Sequence, residues 1–109
     1  VLMYAEAANE LGETDEALAK LEMVRARARG NDPDALPEIT ERDQTKLRDL
    51  IHEERRFELA LEFERYFDLI RWGETDKITG FVPNKQELYP IPQEERDASN
   101  GILTQNPGY

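Results

Sequence analysis

The run from Glu53 to Gly73 constrains the fold more than any other part of the chain, because it places acids where a helix should bury apolar side chains. If Leu47 lies at the middle of a helix face, a period of 3.6 residues returns Leu50, Ile51, Phe57 and Leu61 to that face. The same period returns Glu54 and Glu58 to its centre. A buried carboxylate has to be paired and hydrogen-bonded, or it takes up a proton. Arg55, Arg56, Arg65 and Arg71 are the expected partners, since a guanidinium is always charged and can grip a carboxylate through two hydrogen bonds. The reading is a structural ion-pair network of Glu54, Arg55, Arg56, Glu58, Glu62, Arg65, Asp68 and Arg71, with no catalytic residue among them.

Three further segments surround this run. Residues 1–29 read as a helical hairpin. Tyr4, Ala5, Ala8 and Leu11 share one helix face, and Gly12 suits the left-handed conformation that ends helices. Thr14 is placed to cap the next helix, with Ala17, Leu18, Leu21, Val24 and Ala28 as its buried stripe. Arg25, Arg27 and Arg29 favour its negative end. Residues 30–43, with Pro33, Pro37 and five acids, form a loop. Asn31, Asp32 and Asp34 invite a calcium reading, but the order of oxygen ligands, central Gly and distal Glu that such a loop needs is missing.

In residues 44–73 the apolar positions shift phase. Leu59, Phe63, Tyr66 and Ile70 fall about 150° around the helix from the first stripe, which predicts a break near Glu62–Glu64 and a stop at Gly73. Residues 74–109 are expected to be largely non-helical, because Pro83, Pro90, Pro92 and Pro107 forbid long helices. Phe81, Val82, Leu88, Tyr89 and Ile91 would lay this segment over the helices as an irregular cover. Asn106-Pro107-Gly108-Tyr109 suits a type II turn. The expected class is all-α: a tetratricopeptide-like helical hairpin plus further helices, covered by a proline-rich segment.

The formal net charge of −10, from 24 acidic and 14 basic residues, argues against nucleic acid as a partner, because displacing counterions from phosphates needs a basic footprint. It also argues against docking on an anionic bilayer. With no cysteine there is no disulfide framework and no thiolate metal site. Val1 to Ala8 is helix-forming from its first residue and lacks both a cap and an initiator Met, so the expectation is a single fragment of a larger domain.

One small-residue pattern and three ordered motifs now carry a resemblance. Ala5, Ala8, Gly12, Ala17, Leu21 and Val24 follow the spacing of one tetratricopeptide repeat, where small side chains let two helices approach. The array Glu54-Arg55-Arg56-x-Glu58-Leu59-Ala60-x-Glu62-x-x-Arg65-x-x-Asp68-Leu69-x-Arg71-Trp72-Gly73 is followed by Leu88-Tyr89-Pro90-Ile91-Pro92-Gln93. Then comes Leu103-Thr104-Gln105-Asn106-Pro107-Gly108-Tyr109. In that order, the three motifs resemble the C-terminal part of the SusD/RagB family, with Tyr109 at the end of the chain.

The resemblance implies a surface-exposed outer-membrane lipoprotein of Bacteroidetes-type bacteria, anchored through an N-terminal region absent from this chain. Such proteins bind oligosaccharides or other nutrients, without catalysis, and hand them to a TonB-dependent, SusC-like transporter. Glycan contacts are expected upstream of this fragment, so no ligand-binding residue is carried over, and no cofactor is implied. The alternative expectation is a tetratricopeptide-type module that binds a protein partner.

Chemical readings of the acids are weaker. Helical carboxylate metal sites pair Glu with a His three residues on, whereas the single histidine, His52, precedes Glu54 and lies about 160° from it around the helix. A glycosidase needs two carboxylates flanking a sugar. Arginines alongside favour the charged form of a carboxyl, the wrong direction for a general acid. By residue type alone, Trp72, Phe81, Tyr89 and Tyr109 are candidates for a sugar-stacking platform.

Overall fold

A computed structural model describes residues 1–32 and 34–109; Pro33, placed in the loop by the sequence, lies outside the described residues. Its elements are α1 (Leu2–Glu10), α2 (Thr14–Arg29), α3 (Gln44–Glu58), α4 (Arg65–Arg71), a short 3-10 turn (Thr75–Lys77) and α5 (Gln93–Ala98). No strand occurs among the described residues, and the class is all-α. No helix among them is long and apolar enough to cross a membrane. The chain divides into two compact units, Val1–Phe63 and Glu64–Tyr109.

In the first unit α1 and α2 form the hairpin, and α3 packs on both. Ala5, Ala8 and Ala17 are small enough to bring the two hairpin helices close, and Leu2, Leu18, Leu21 and Val24 fill the space around them. Leu47 and Ile51, one turn apart on α3, complete this core, with Ile39 and Leu50 packed at its margin. Gly12 turns the chain after α1 at φ +82°, a region open to glycine and costly for other residues.

Several expected core positions lie elsewhere. Tyr4 and Leu11 are exposed, while Leu2 and the polar Asn9 are buried in their stead. Ala28 is exposed near the end of α2. Thr14 is the first helical residue and not a cap; the capping position is Glu13, whose side chain makes no capping bond. On α3, by contrast, Asp43 caps the helix by accepting from the Lys46 N–H at 3.0 Å.

The α3 stripe also ends early. Phe57 is 63% exposed and Leu61 is 95% exposed: Phe57, still within the helix, stands about 80° around it from Leu47 at the stripe's edge, and Leu61 lies past the end of α3 at Glu58, where helical spacing no longer applies. The break between α3 and α4 spans residues 59–64, and both Leu61 (φ +69°) and Phe63 (φ +63°) adopt left-handed backbone there. A bulky L-residue in that region costs about 1–2 kcal/mol.

The second unit is built differently. Leu69 is its one buried hydrophobic side chain among the described residues. Tyr66 packs edge-on against Phe67, with ring centroids 5.6 Å apart, and against Phe81 at 6.4 Å. Its phenol donates to the Gln86 carbonyl. Partial burial, helped by Tyr89, Tyr109 and Glu87 nearby, pushes that phenol above the usual tyrosine range.

The Pro90-Ile91-Pro92 stretch offers one backbone donor, at Ile91. The Gln105 amide satisfies that residue on both sides, accepting from the Ile91 N–H at 2.8 Å and donating to the Ile91 carbonyl at 3.0 Å. Asn106 donates to the Tyr89 carbonyl at 2.6 Å, and Tyr109 to the Leu88 carbonyl at 3.2 Å. The final turn has Gly108 at φ +85° and a Tyr109 N–H to Asn106 carbonyl distance of 3.4 Å, the signature of type II. Beyond fixing this backbone, Gly108 makes room for Lys85, whose Cβ would lie 2.8 Å from an added Cβ.

Within the largely non-helical segment 74–109, one short helix, α5, forms at Gln93–Ala98. Pro92 stands at its N-cap, and Glu94 and Glu95 occupy its first turn. Proline is tolerated at a helix start, where its missing N–H has no partner to lose, and acids there meet the positive end of the helix.

Candidate functional site

The most organised set of charges lies in the first unit, where α2, α3 and the 30–43 loop meet. Glu54 is buried on α3, at the stripe position that the period assigns it. Its partner is Arg25 of α2, with Nη1 at 2.9 Å from Oε2. Arg25 also donates through Nη2 to the Pro37 carbonyl at 3.1 Å and faces Glu22 at 3.3 Å. Glu22 in turn holds Arg29 at 2.9 Å and accepts from the Ile39 N–H at 3.0 Å. Arg29 closes the set by donating to the Leu36 carbonyl at 2.5 Å. The alternating series Arg29–Glu22–Arg25–Glu54 therefore straps the acidic loop to two helices.

Glu58 pairs with Arg27, also from α2. The expected partners of Glu54 and Glu58 were local arginines, and here the structure corrects the sequence. Arg55 is buried and approaches Glu6 of α1, with Nε 3.9 Å from Oε2. Arg56 is exposed, its guanidinium 6.0 Å from the Phe57 ring. Arg65 stands over Trp72 at 5.7 Å. Glu62 is exposed and takes no part in the ion pairs among the described residues. The reason is geometric: neighbours along one helix point to different faces, so a side chain buried against α2 has to be neutralised from α2. Asp68 and Arg71, three apart on α4, do meet, with Nε 2.9 Å from Oδ1.

Sequence reasoning missed Arg25 and Arg27 as partners by assigning both to the helix dipole. A signal was present, because Glu22, Arg25 and Arg29 follow the three- and four-residue spacing that brings helix side chains together. Two further ties between helices also went unread. Arg48 grips Glu10 with both ends of its guanidinium, at 2.5 and 2.8 Å. That contact holds the Glu10 carboxyl below the usual glutamate range and raises Arg48. Asn9 and Gln44 exchange bonds with each other's backbone, at 2.9 Å from the Asn9 amide to the Gln44 carbonyl and 2.6 Å in return.

The aromatic candidates divide by what lies against them. Trp72 has Arg65 and also Arg71, at 4.8 Å, over its ring. Tyr109 has Lys85 at 4.7 Å. Phe81 is half-buried. Tyr89 tilts against Phe67 at 6.5 Å and remains largely exposed. In the acidic loop, the Asp34 N–H donates to Asp32 Oδ1 at 3.0 Å, which is a local turn contact. No group of three or more His, Asp or Glu side chains among the described residues converges as a metal site would.

A scan of the sequence for known families matches residues 1–81 to the SusD family. The chain belongs to the SusD family. SusD-like protein P2 of Formosa agariphila is 34% identical over an alignment that covers 100% of this chain and 24% of the relative. SusD-like protein P25 of the same organism is 42% identical over 66% of this chain and 13% of its own length. The crystal structure of a SusD homolog from Bacteroides thetaiotaomicron superposes with a TM-score of 0.80 at 31% identity, covering 99% of this chain and 25% of that one. This SusD-family chain thus spans about a quarter or less of the length of these relatives.

Proposed function

We propose that the chain is the scaffold portion of a SusD/RagB-like surface lipoprotein of the outer membrane. The complete protein binds oligosaccharides or other nutrients, without turning them over, and passes them to a TonB-dependent, SusC-like transporter. The observation that carries this reading is the match of nearly the whole chain, in sequence and in fold, to one quarter of a SusD homolog. Within this portion the ion pairs Arg25–Glu54, Arg27–Glu58 and Asp68–Arg71 serve architecture. Each acid is held by a guanidinium that satisfies its charge, an arrangement suited to holding helices in register.

The test uses the full-length protein in its native host. Affinity purification from solubilised outer membranes is expected to recover a TonB-dependent barrel, and calorimetry with a panel of oligosaccharides to show binding without product formation. Recovery of no barrel together with no binding would overturn the reading. The scaffold role has its own check. Tyr89→Ala, at the most exposed ring of the second unit, should leave the dissociation constant unchanged within error, and a clear loss of affinity would move ligand contacts into this region.

A further inference from the structure

Asn100 and Gly101 are the central residues of the turn that follows α5, at φ +54° and +82°. The Ile102 N–H closes that turn on the Ser99 carbonyl at 3.2 Å. Asn and Gly are the residues that tolerate left-handed backbone, but their chemistry goes further than their shape. The backbone nitrogen after an asparagine can attack the side-chain Cγ and close a cyclic imide, provided that nitrogen is unbonded and uncrowded.

That condition separates the five asparagines of the chain. After Asn9 the nitrogen belongs to Glu10, inside α1, where helical bonding engages it. After Asn31 the Asp32 N–H donates to the Arg29 carbonyl at 3.1 Å. After Asn84 the Lys85 N–H is held by the Glu87 carboxylate. Asn106 precedes Pro107, which has no N–H. Only at Gly101 does the following nitrogen exist without a hydrogen-bond partner among the described residues. Gly101 also has no Cβ to obstruct the approach, and an added one would meet no heavy atom within 4 Å. The Asn100 amide likewise makes no hydrogen bond with a described residue.

We propose that Asn100 is a site of spontaneous deamidation, and that its conversion loosens the clamp on Ile91. The Gly101 nitrogen bonds to Cγ of Asn100 and gives up its proton, while the Cγ–Nδ2 bond breaks and the nitrogen leaves as ammonia. Water then opens the imide at either carbonyl, leaving aspartate or isoaspartate, with no change of oxidation state. Closure needs the turn to open, which costs its 3.2 Å bond. Either product sets a negative charge at the C-terminal end of α5, where the helix dipole is itself negative. Isoaspartate also lengthens the main chain by one carbon between α5 and Gln105, whose amide holds Ile91 on both sides. The inference is independent of the nutrient-binding proposal.

The full-length protein, aged in heavy-oxygen water at neutral pH and then digested, tests this directly. Mass spectrometry should find the heavy oxygen at position 100 in both aspartate and isoaspartate, formed faster than at Asn31 or Asn84. No conversion there, conversion no faster than at those two, or aspartate without isoaspartate would overturn the proposal. Asn100→Gln supplies the second measurement, because its longer side chain closes the imide ring poorly. Hydrogen exchange at the Ile91 amide should speed up in the aged parent and stay unchanged in the equally aged variant. Equal exchange in the two would overturn the link to the clamp.

Discussion

The two units of this chain solve one problem by different chemistry. Residues 1–63 are held by an apolar core in which Leu21, Leu47 and Ile51 are wholly buried, framed by ion pairs between helices. Residues 64–109 bury only Leu69 among their hydrophobic side chains and rely on amide and phenol groups that reach distant carbonyls. The contrast follows from composition. Helices satisfy their own backbone and are free to compete for apolar burial, whereas a proline-punctuated segment leaves carbonyls unmatched and needs side chains to satisfy them. The first unit should accordingly respond most to lost volume, and the second to lost hydrogen bonds.

The largest effect should come from the core. Leu47→Ala is expected to destabilise the first unit by about 3–5 kcal/mol, the range for a truncated, fully enclosed leucine. Denaturant unfolding that showed no shift in midpoint would place the core elsewhere. Next comes the strap: Glu54→Ala leaves Arg25 uncompensated, and a loss of about 2–3 kcal/mol is expected, below the usual figure for a buried pair because Arg25 keeps Glu22 and some solvent. The double variant Arg25→Met/Glu54→Leu should recover much of it, and failure to recover would mean that the pair, and not the packing, sets stability.

In the second unit Gln105→Ala should cost about 1–2 kcal/mol by stranding Ile91. Hydrogen exchange at the Ile91 amide should speed up while the amides of α3 stay protected. Equal acceleration in both would erase the distinction between the units.

The smallest effect sharpens the comparison by pH. The Glu10 carboxyl is lowered by its Arg48 contact, so the contact adds stability above the ordinary glutamate range and loses it as pH falls through the folded value. Arg48→Met should therefore cost about 0.5 kcal/mol near neutrality, as exposed pairs do, and nothing in strong acid. A difference that persists at pH 2 would assign the effect to the arginine's aliphatic stem.

Much of the first unit was legible because helical periodicity is a local signal. Ala5, Ala8, Leu21, Leu47 and Ile51 could be placed by counting, and the phase shift after Leu61 marked the break between α3 and α4. What counting could not supply was the end of α3. Once the helix stops at Glu58, Leu61 no longer returns to the stripe, whatever its spacing. Nor could it choose among arginines. Guanidinium partners are set by which helix faces which, so the partner of Glu54 lies far away in sequence, at Arg25 on α2, and not in the adjacent Arg55 and Arg56. In the second unit, α5 was hidden because Pro92 was read only as a breaker, although the acids just after it carry the mark of a helix start. Gln105 gave no signal of its role, since an amide bridging one backbone residue has no periodicity.

The clamp at Ile91 has a consequence for the solubility of this region. An extended segment invites other chains to pair with it through whatever N–H groups it displays. Pro90 and Pro92 have none, and the one at Ile91 is already occupied by Gln105. This stretch can stay straight without acting as a template, which closes one route to aggregation through strand pairing.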